Sequence, residues 1–321
     1  MLMKRELDIS NYFIPGVPKI KNTFGLTTWY KDIPYMLPEN TALLFLNSTK
    51  GAMKDVEFRR ALAFAINPAM ITNKVFEDQV EEANPTGLFS KDWMDFYSEE
   101  AVKEYGFSYN PEKVKEMLDA AGYKDTNKDG WREQPNGEPM KFEIIVPNGW
   151  TDWMESIKII ADNFKAVGIN AIASFPDYSI YYDKLQNGTF DMAINNFGSA
   201  QSATPFTYWN WVANDEIDGK IVTDGNWGRY KDKELFRLID EFNVLKSEDP
   251  AAKKAAAEIQ KKLLQEMPSI PLWYNGLWAQ STSTYWTNWP TEDNPVGYPC
   301  TWAGKWWLGS VEMLINLKPV E

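Results

Sequence analysis

The side chains best equipped for chemistry in this chain are its tryptophans, and the chemistry they offer is stacking. There are 15 of them, and histidine is absent. An indole gives a large flat apolar face and one N–H donor, which suits a planar ligand such as a sugar ring as well as a packed core. The missing histidine removes the commonest general base and the commonest zinc ligand. Cys300, the single cysteine, excludes an internal disulfide and a thiolate metal cluster. It has no histidine to activate it and reads as inert. Together these residues favour binding over catalysis, and no cofactor is implied.

Two aromatic groups lie where strands should end. Asn148, Trp150 and Trp153 follow an alternating apolar segment, and Asn196, Phe197, Gln201, Trp209 and Trp211 follow another. In open α/β sheets ligands bind at the carboxyl ends of strands. An aromatic beside Asn and Gln amides suits a sugar, whose CH face stacks while the amides bridge its hydroxyls. Trp150 and Trp209 are read as cleft residues, Trp153 as core, and Trp211 as either. Trp273 and Asn275 join the candidates from an aromatic-rich run in which Trp273, Trp278, Trp286, Trp289, Trp302, Trp306 and Trp307 fall.

Two other groups read as structural. Arg59 and Arg60 could clamp a carboxylate, but an Arg early in a helix behind an acidic cap fits an ion pair with Asp55 or another carboxylate. Asp125, Asn127 and Asp129 in DTNKDG resemble the first half of a calcium loop, with Gly130 for the turn. The twelfth position, where a bidentate Glu belongs, is Asn136, so a polar turn with no calcium is expected.

The elements that must hold these residues follow from periodicity and caps. Residues 1–40 are turn-rich and read as a lead-in. Thr41 to Leu46 fits a buried strand. Asp55, Asn67-Pro68 and Asn110-Pro111 each open a helix. Met140 to Val146, a helix capped by Asp152, and Ile169 to Ser174 make a βαβ unit. A helix over Tyr178 to Gln186 and a strand over Phe190 to Asn195 follow, then helices near 232–246 and 250–266. Beyond that no periodicity is clear. The fold class is α/β.

The chain has 321 residues, enough for one large domain or two. Mean hydropathy is -0.45, and no run approaches the ~18 apolar residues of a membrane span. The start, MLMKRELDIS, lacks the apolar stretch of a secretory signal. The net charge of -12 disfavours nucleic acid, whose phosphates it repels.

The segments also come in a specific order. LLFLNSTKGAMKDVEFRRALAFAINPAMI (43–71) resembles the signature of family 5 extracellular solute-binding proteins, the oligopeptide- and oligosaccharide-binding components of ABC importers. Asn47, Asp55, Arg59 or Arg60, and Ala61 fall in its places. FSYNPEKVKEMLDAAGY (107–123), IIADNFKAVGINAIASF (159–175), GTFDMAINNFG (188–198) and AAAEIQKKLLQEMPSIPLW (255–273) resemble later segments of that family. The resemblance implies a periplasmic-binding-protein-like lobe, a mixed sheet with flanking helices, plus remnants of a second lobe. Residues 1–40 would be a remnant of lobe 1, 41–275 lobe 2, and 276–321 a segment returning to lobe 1. It further implies a carboxy-terminal portion without the family's amino-terminal part, an extracytoplasmic monomer, and a membrane permease as partner. Peptide-binding members carry an Asp shortly after an aromatic-Gly pair to hold the peptide amine. Here Phe197-Gly198 is followed by Ala200 at that place. A buried ammonium with no counter-charge is costly, so an oligosaccharide is the expected solute. The alternatives are a peptide-binding member and, from another class, a glycoside hydrolase or carbohydrate-binding module. A hydrolase needs two carboxyls facing the scissile bond. The acids beside the Trp clusters, Asp152 and Glu155, read instead as helix cap and first-turn charge.

Overall fold

The computed structural model describes residues 1–89, 91–196, 202–215, 221–299 and 306–321. Its centre is a five-stranded sheet of β1 (Leu37–Leu46), β2 (Phe142–Ile145), β3 (Ala171–Ser174), β4 (Met192–Asn196) and β5 (Ser269–Leu277), in the order β3-β2-β4-β1-β5. β2 runs parallel to β3 and β4, whereas β1 runs antiparallel to β4 and β5. The apolar run in β1 is explained by burial on both faces. Ala42, Leu44 and Leu46 face one core cluster, and Leu43 and Phe45 face the other.

Helices cover both faces. On the first lie α1 (Val56–Ala65), α2 (Pro111–Ala120) and α3 (Thr151–Ala166), which supply Phe58, Leu62, Val114, Leu118, Ile157 and Phe164. On the second lie α4 (Tyr178–Asn187), α5 (Phe206–Val212), α6 (Lys233–Asn243) and α7 (Pro250–Glu266), which supply Leu185, Trp209, Ile239 and Ile259. The sheet is thus sandwiched between two helical layers, the mixed α/β arrangement expected. Among the described residues no helix is long and apolar enough to cross a membrane.

The caps act locally as the residue types require. Asp55 accepts from the Glu57 N–H and Asn110 from the Lys113 N–H, each at 3.0 Å. Asp249 accepts from Ala251 at 2.8 Å. Such a side chain satisfies an N–H that has no partner inside the helix. Arg59 is buried and donates to the Glu266 carbonyl through Nε (2.9 Å) and Nη2 (2.6 Å), with the Glu266 carboxylate 3.6 Å away. Its partner is therefore Glu266 at the end of α7, and the pair ties the helices of opposite layers together.

The ends differ from expectation. The lead-in carries a helix, Val17–Phe24, and two short strands, Ile9–Ser10 and Leu26–Thr27, both antiparallel to Gln280–Thr282. Phe13, Ile14, Val17 and Met36 pack into the first core cluster. The last residues form a helix, Trp306–Asn316, and a short ladder between Trp286–Thr287 and Lys318–Pro319. Asn11 Nδ2 donates to the carbonyls of Trp278 (2.8 Å) and Pro299 (2.6 Å), joining the two chain ends.

Candidate functional site

The strand directions decide where a site can form. β2 and β4 end at one edge of the sheet. Because β1 is antiparallel to β4, its first residues lie at that same edge, and so do the last residues of β5. A cavity of about 770 Å³ opens there, within the size range of small-molecule sites. Its walls come from Leu7, residues 9–13, Glu39, residues 149–153, Asn196, Asn275 and Trp278.

The turn leaving β2 sets the aromatic side. Gly149 has φ +89°, in the left-handed region that favours glycine. It reverses the chain so that Trp150 is the last residue before α3. Trp150 is 38% exposed, meets Trp153 edge-on at 4.8 Å and stacks against Tyr178 at 6.1 Å. Packed from behind and open in front, its ring is a fixed platform. Asp152 is in the first turn of α3, not at its cap, and accepts from the Trp153 N–H at 2.9 Å. Burial raises its pKa, and that hydrogen bond works against the rise. Trp153 is buried core that also touches the cavity, and Trp278 stacks on Phe76 with the rings 12° apart.

The polar side is Asn196, Asn275 and Glu39. Asn196 ends β4, paired with Ala42. Asn275 is buried, and its Oδ1 has no hydrogen-bond partner. Glu39 is buried, and desolvation lifts its carboxyl to about 8. Among the described residues no lysine or arginine lines the cavity.

Of the residues expected from sequence, Trp150, Asn196 and Asn275 meet here. Asn148 is exposed on the adjoining turn, its N–H donating to the Pro176 carbonyl at 2.8 Å, outside the lining. Trp209 and Trp273 are corrected to core. Both are fully buried, Trp209 edge-on to Phe242 at 5.0 Å and Trp273 5.1 Å from Phe76. A buried indole leaves no face for a ligand. Trp211 is half-buried against Phe45 and Trp227, also outside the lining. Phe197, Ala200 and Gln201 lie outside the described residues. Glu39, Trp278, Leu7 and residues 9–13 were not expected. The acid pair in the cavity is Glu39 and Asp152, whereas Glu155 is exposed and paired with Lys158.

The DTNKDG loop lies apart from the cavity. Asp125 accepts from the N–H groups of Lys128 and Gly130, and Asp129 accepts from Trp131. Asn127 Oδ1 accepts from the Asp129 N–H. Glu133, which spacing places off the motif, folds to within 4.8 Å of the Asp125 and Asp129 carboxylates.

The sequence is similar over residues 1–219 to the bacterial extracellular solute-binding proteins, family 5 Middle. It is 23% identical over 229 residues to the oligopeptide-binding protein AppA of Bacillus subtilis, covering 71% of this chain and 40% of that one. The fold is similar to that of the periplasmic oligopeptide-binding protein of an oligopeptide ABC transporter from Thermotoga maritima. The TM-score is 0.96 at 46% identity, over 100% of this chain and 60% of the other. The mannohexaose-bound form of that protein gives 0.92 at 46% identity, over 99% and 59% of the two chains. AppA in complex with a nonapeptide shares the fold at TM-score 0.73 and 17% identity, over 100% and 57%. The chain thus spans 40% to 60% of the length of these relatives.

Proposed function

The chain belongs to the family 5 bacterial extracellular solute-binding proteins, and on that premise we propose that it captures a neutral oligosaccharide for import by an ABC transporter. The observation that carries this reading is the cavity's chemistry. One fixed indole face, the amides of Asn196 and Asn275, and the absence of a lysine or arginine among the described lining residues suit stacked, hydroxyl-bearing rings. A peptide would bring a carboxylate, and a carboxylate enclosed with no cation is strongly disfavoured. The mannohexaose held by the 46%-identical Thermotoga maritima protein supports the same reading.

The peptide reading is kept alive by one observation, Asp152 in the cavity wall, where a carboxylate could receive an ammonium. A hydrolase would use Glu39 and Asp152 as its acid pair. We read the protein as a receptor, with 37–277 forming one lobe, the terminal segments belonging to the other side of the cavity, and the loaded form docking on a membrane permease. Closure would then follow from tighter binding to the closed state.

Calorimetric titration of the chain with mannohexaose and with a nonapeptide tests this. Binding to the sugar, weakened by about 1–3 kcal/mol in Trp150→Ala as for a buried aromatic anchor, is the expected result. Binding to the peptide alone would defeat it. Mannohexaose incubated with the protein should gain no new reducing ends.

A further inference from the structure

Glu39 is the residue that the ladder between β1 and β5 leaves out. The pairs run Leu37 with Leu277, Pro38 with Gly276, then Asn40 with Asn275. One residue on β1 is therefore unopposed. Such a bulge bends the strand and re-aims a side chain, and bulges concentrate beside functional sites. Here the re-aimed side chain is a carboxyl that lines the cavity and is only 6% exposed.

Its neighbours are equally unusual. Asn275, 8% exposed, keeps its Oδ1 buried without a partner, and both amide atoms of Asn40 are buried without one. A buried polar group without a partner costs about 1–3 kcal/mol, and native proteins rarely leave one without a reason. Two of these three side chains, Glu39 and Asn275, open on the cavity.

We propose that Glu39 and Asn275 form the subsite that selects a hydroxyl-bearing ligand, each side chain offering one donor and one acceptor to adjacent hydroxyls. This rests on the oligosaccharide reading and names the residues that would enforce it. Burial pushes the Glu39 carboxyl up to about 8, so it keeps its proton at neutral pH and can donate. Among the described residues, the other titratable side chains lining the cavity are Asp152, from the first turn of α3, and Tyr12, from the amino-terminal segment. A protonated acid matches a hydroxyl and gives no counter-charge to a peptide's ammonium.

The test is titration of the full chain with mannohexaose between about pH 6 and 9.5, with thermal melts to verify folding. Glu39→Gln keeps a donor and an acceptor, so it should bind within about threefold of wild type at neutral pH. Wild-type affinity should fall about tenfold as pH rises through 8, while Glu39→Gln stays flat. Glu39→Ala and Asn275→Ala should each weaken binding about tenfold or more at neutral pH. Wild-type affinity in Glu39→Ala would overturn the subsite and leave the oligosaccharide reading standing. A loss of about tenfold or more in Glu39→Gln at neutral pH would overturn it too, because it would show that charge is needed. Binding of a nonapeptide but no mannohexaose by the wild type would overturn both.

Discussion

Trp150 and Trp209 both follow a strand in an aromatic-rich stretch, yet the fold gives them opposite tasks. Trp150 precedes α3 behind a left-handed glycine, and its ring remains 38% exposed. Trp209 lies in the seven-residue helix Phe206–Val212, which turns Tyr208, Trp209 and Val212 into the second core cluster. Seven residues are too few for a helical stripe to stand out from a run of aromatics, so the sequence did not reveal which way Trp209 points. The consequence is measurable. Trp209→Ala should lower unfolding free energy by about 3–5 kcal/mol, as large-to-small changes in cores do. Trp150→Ala should cost under about 1 kcal/mol of stability, with its effect confined to ligand binding. Urea denaturation of the two variants separates these outcomes, and equal losses would contradict the assignment. Glu39 was illegible for a different reason. Sequence periodicity places the strand at Thr41, whereas it starts at Leu37 and bulges at Glu39.

Among the elements, much of the fold was legible because several helices open on a capping side chain. The Asp-55, Asn-67, Asn-110 and Asp-249 positions cap as their side chains dictate, and the βαβ unit appears with its helix over Thr151–Ala166. What periodicity cannot carry is the joining of elements distant in sequence. Asn47, part of the family-like signature, is such a joint. At the end of β1 its Nδ2 donates to the carbonyls of Gly188 (2.9 Å) and Phe190 (2.7 Å), just before β4. Its Oδ1 accepts from the Thr49 hydroxyl at 2.7 Å. Its place in the signature thus has a structural account, since it holds two neighbouring strands in register. Asn47→Ala would leave two carbonyls without donors and should cost about 2–4 kcal/mol. Asn47→Asp, the same shape with no donor, should cost at least as much. Melting curves of both variants decide it, and a near-neutral Asn47→Asp would show that the joint is dispensable.

Across the whole molecule, the site depends on strand order and direction, which leave little trace in sequence. An antiparallel β1 between β4 and β5 brings Glu39, Asn196 and Asn275 to one edge although they lie far apart along the chain. The amino-terminal segment completes the arrangement, since Leu7 and residues 9–13 join Trp278 in the lining. Composition alone pointed to stacking, and segment order pointed to the family. Trp150, Asn196 and Asn275 were already among the residues named from sequence, whereas Glu39 and the sorting of Trp209 and Trp273 into the core needed the fold. We propose above that this cavity holds a neutral oligosaccharide. A crystal structure of the chain grown with mannohexaose tests that most directly. The expected result is a sugar ring against the face of Trp150, with hydroxyls within hydrogen-bonding distance of Asn275 and Glu39. A ring bound instead on the exposed aromatics Tyr285 and Trp286, with this cavity free of sugar, would contradict it.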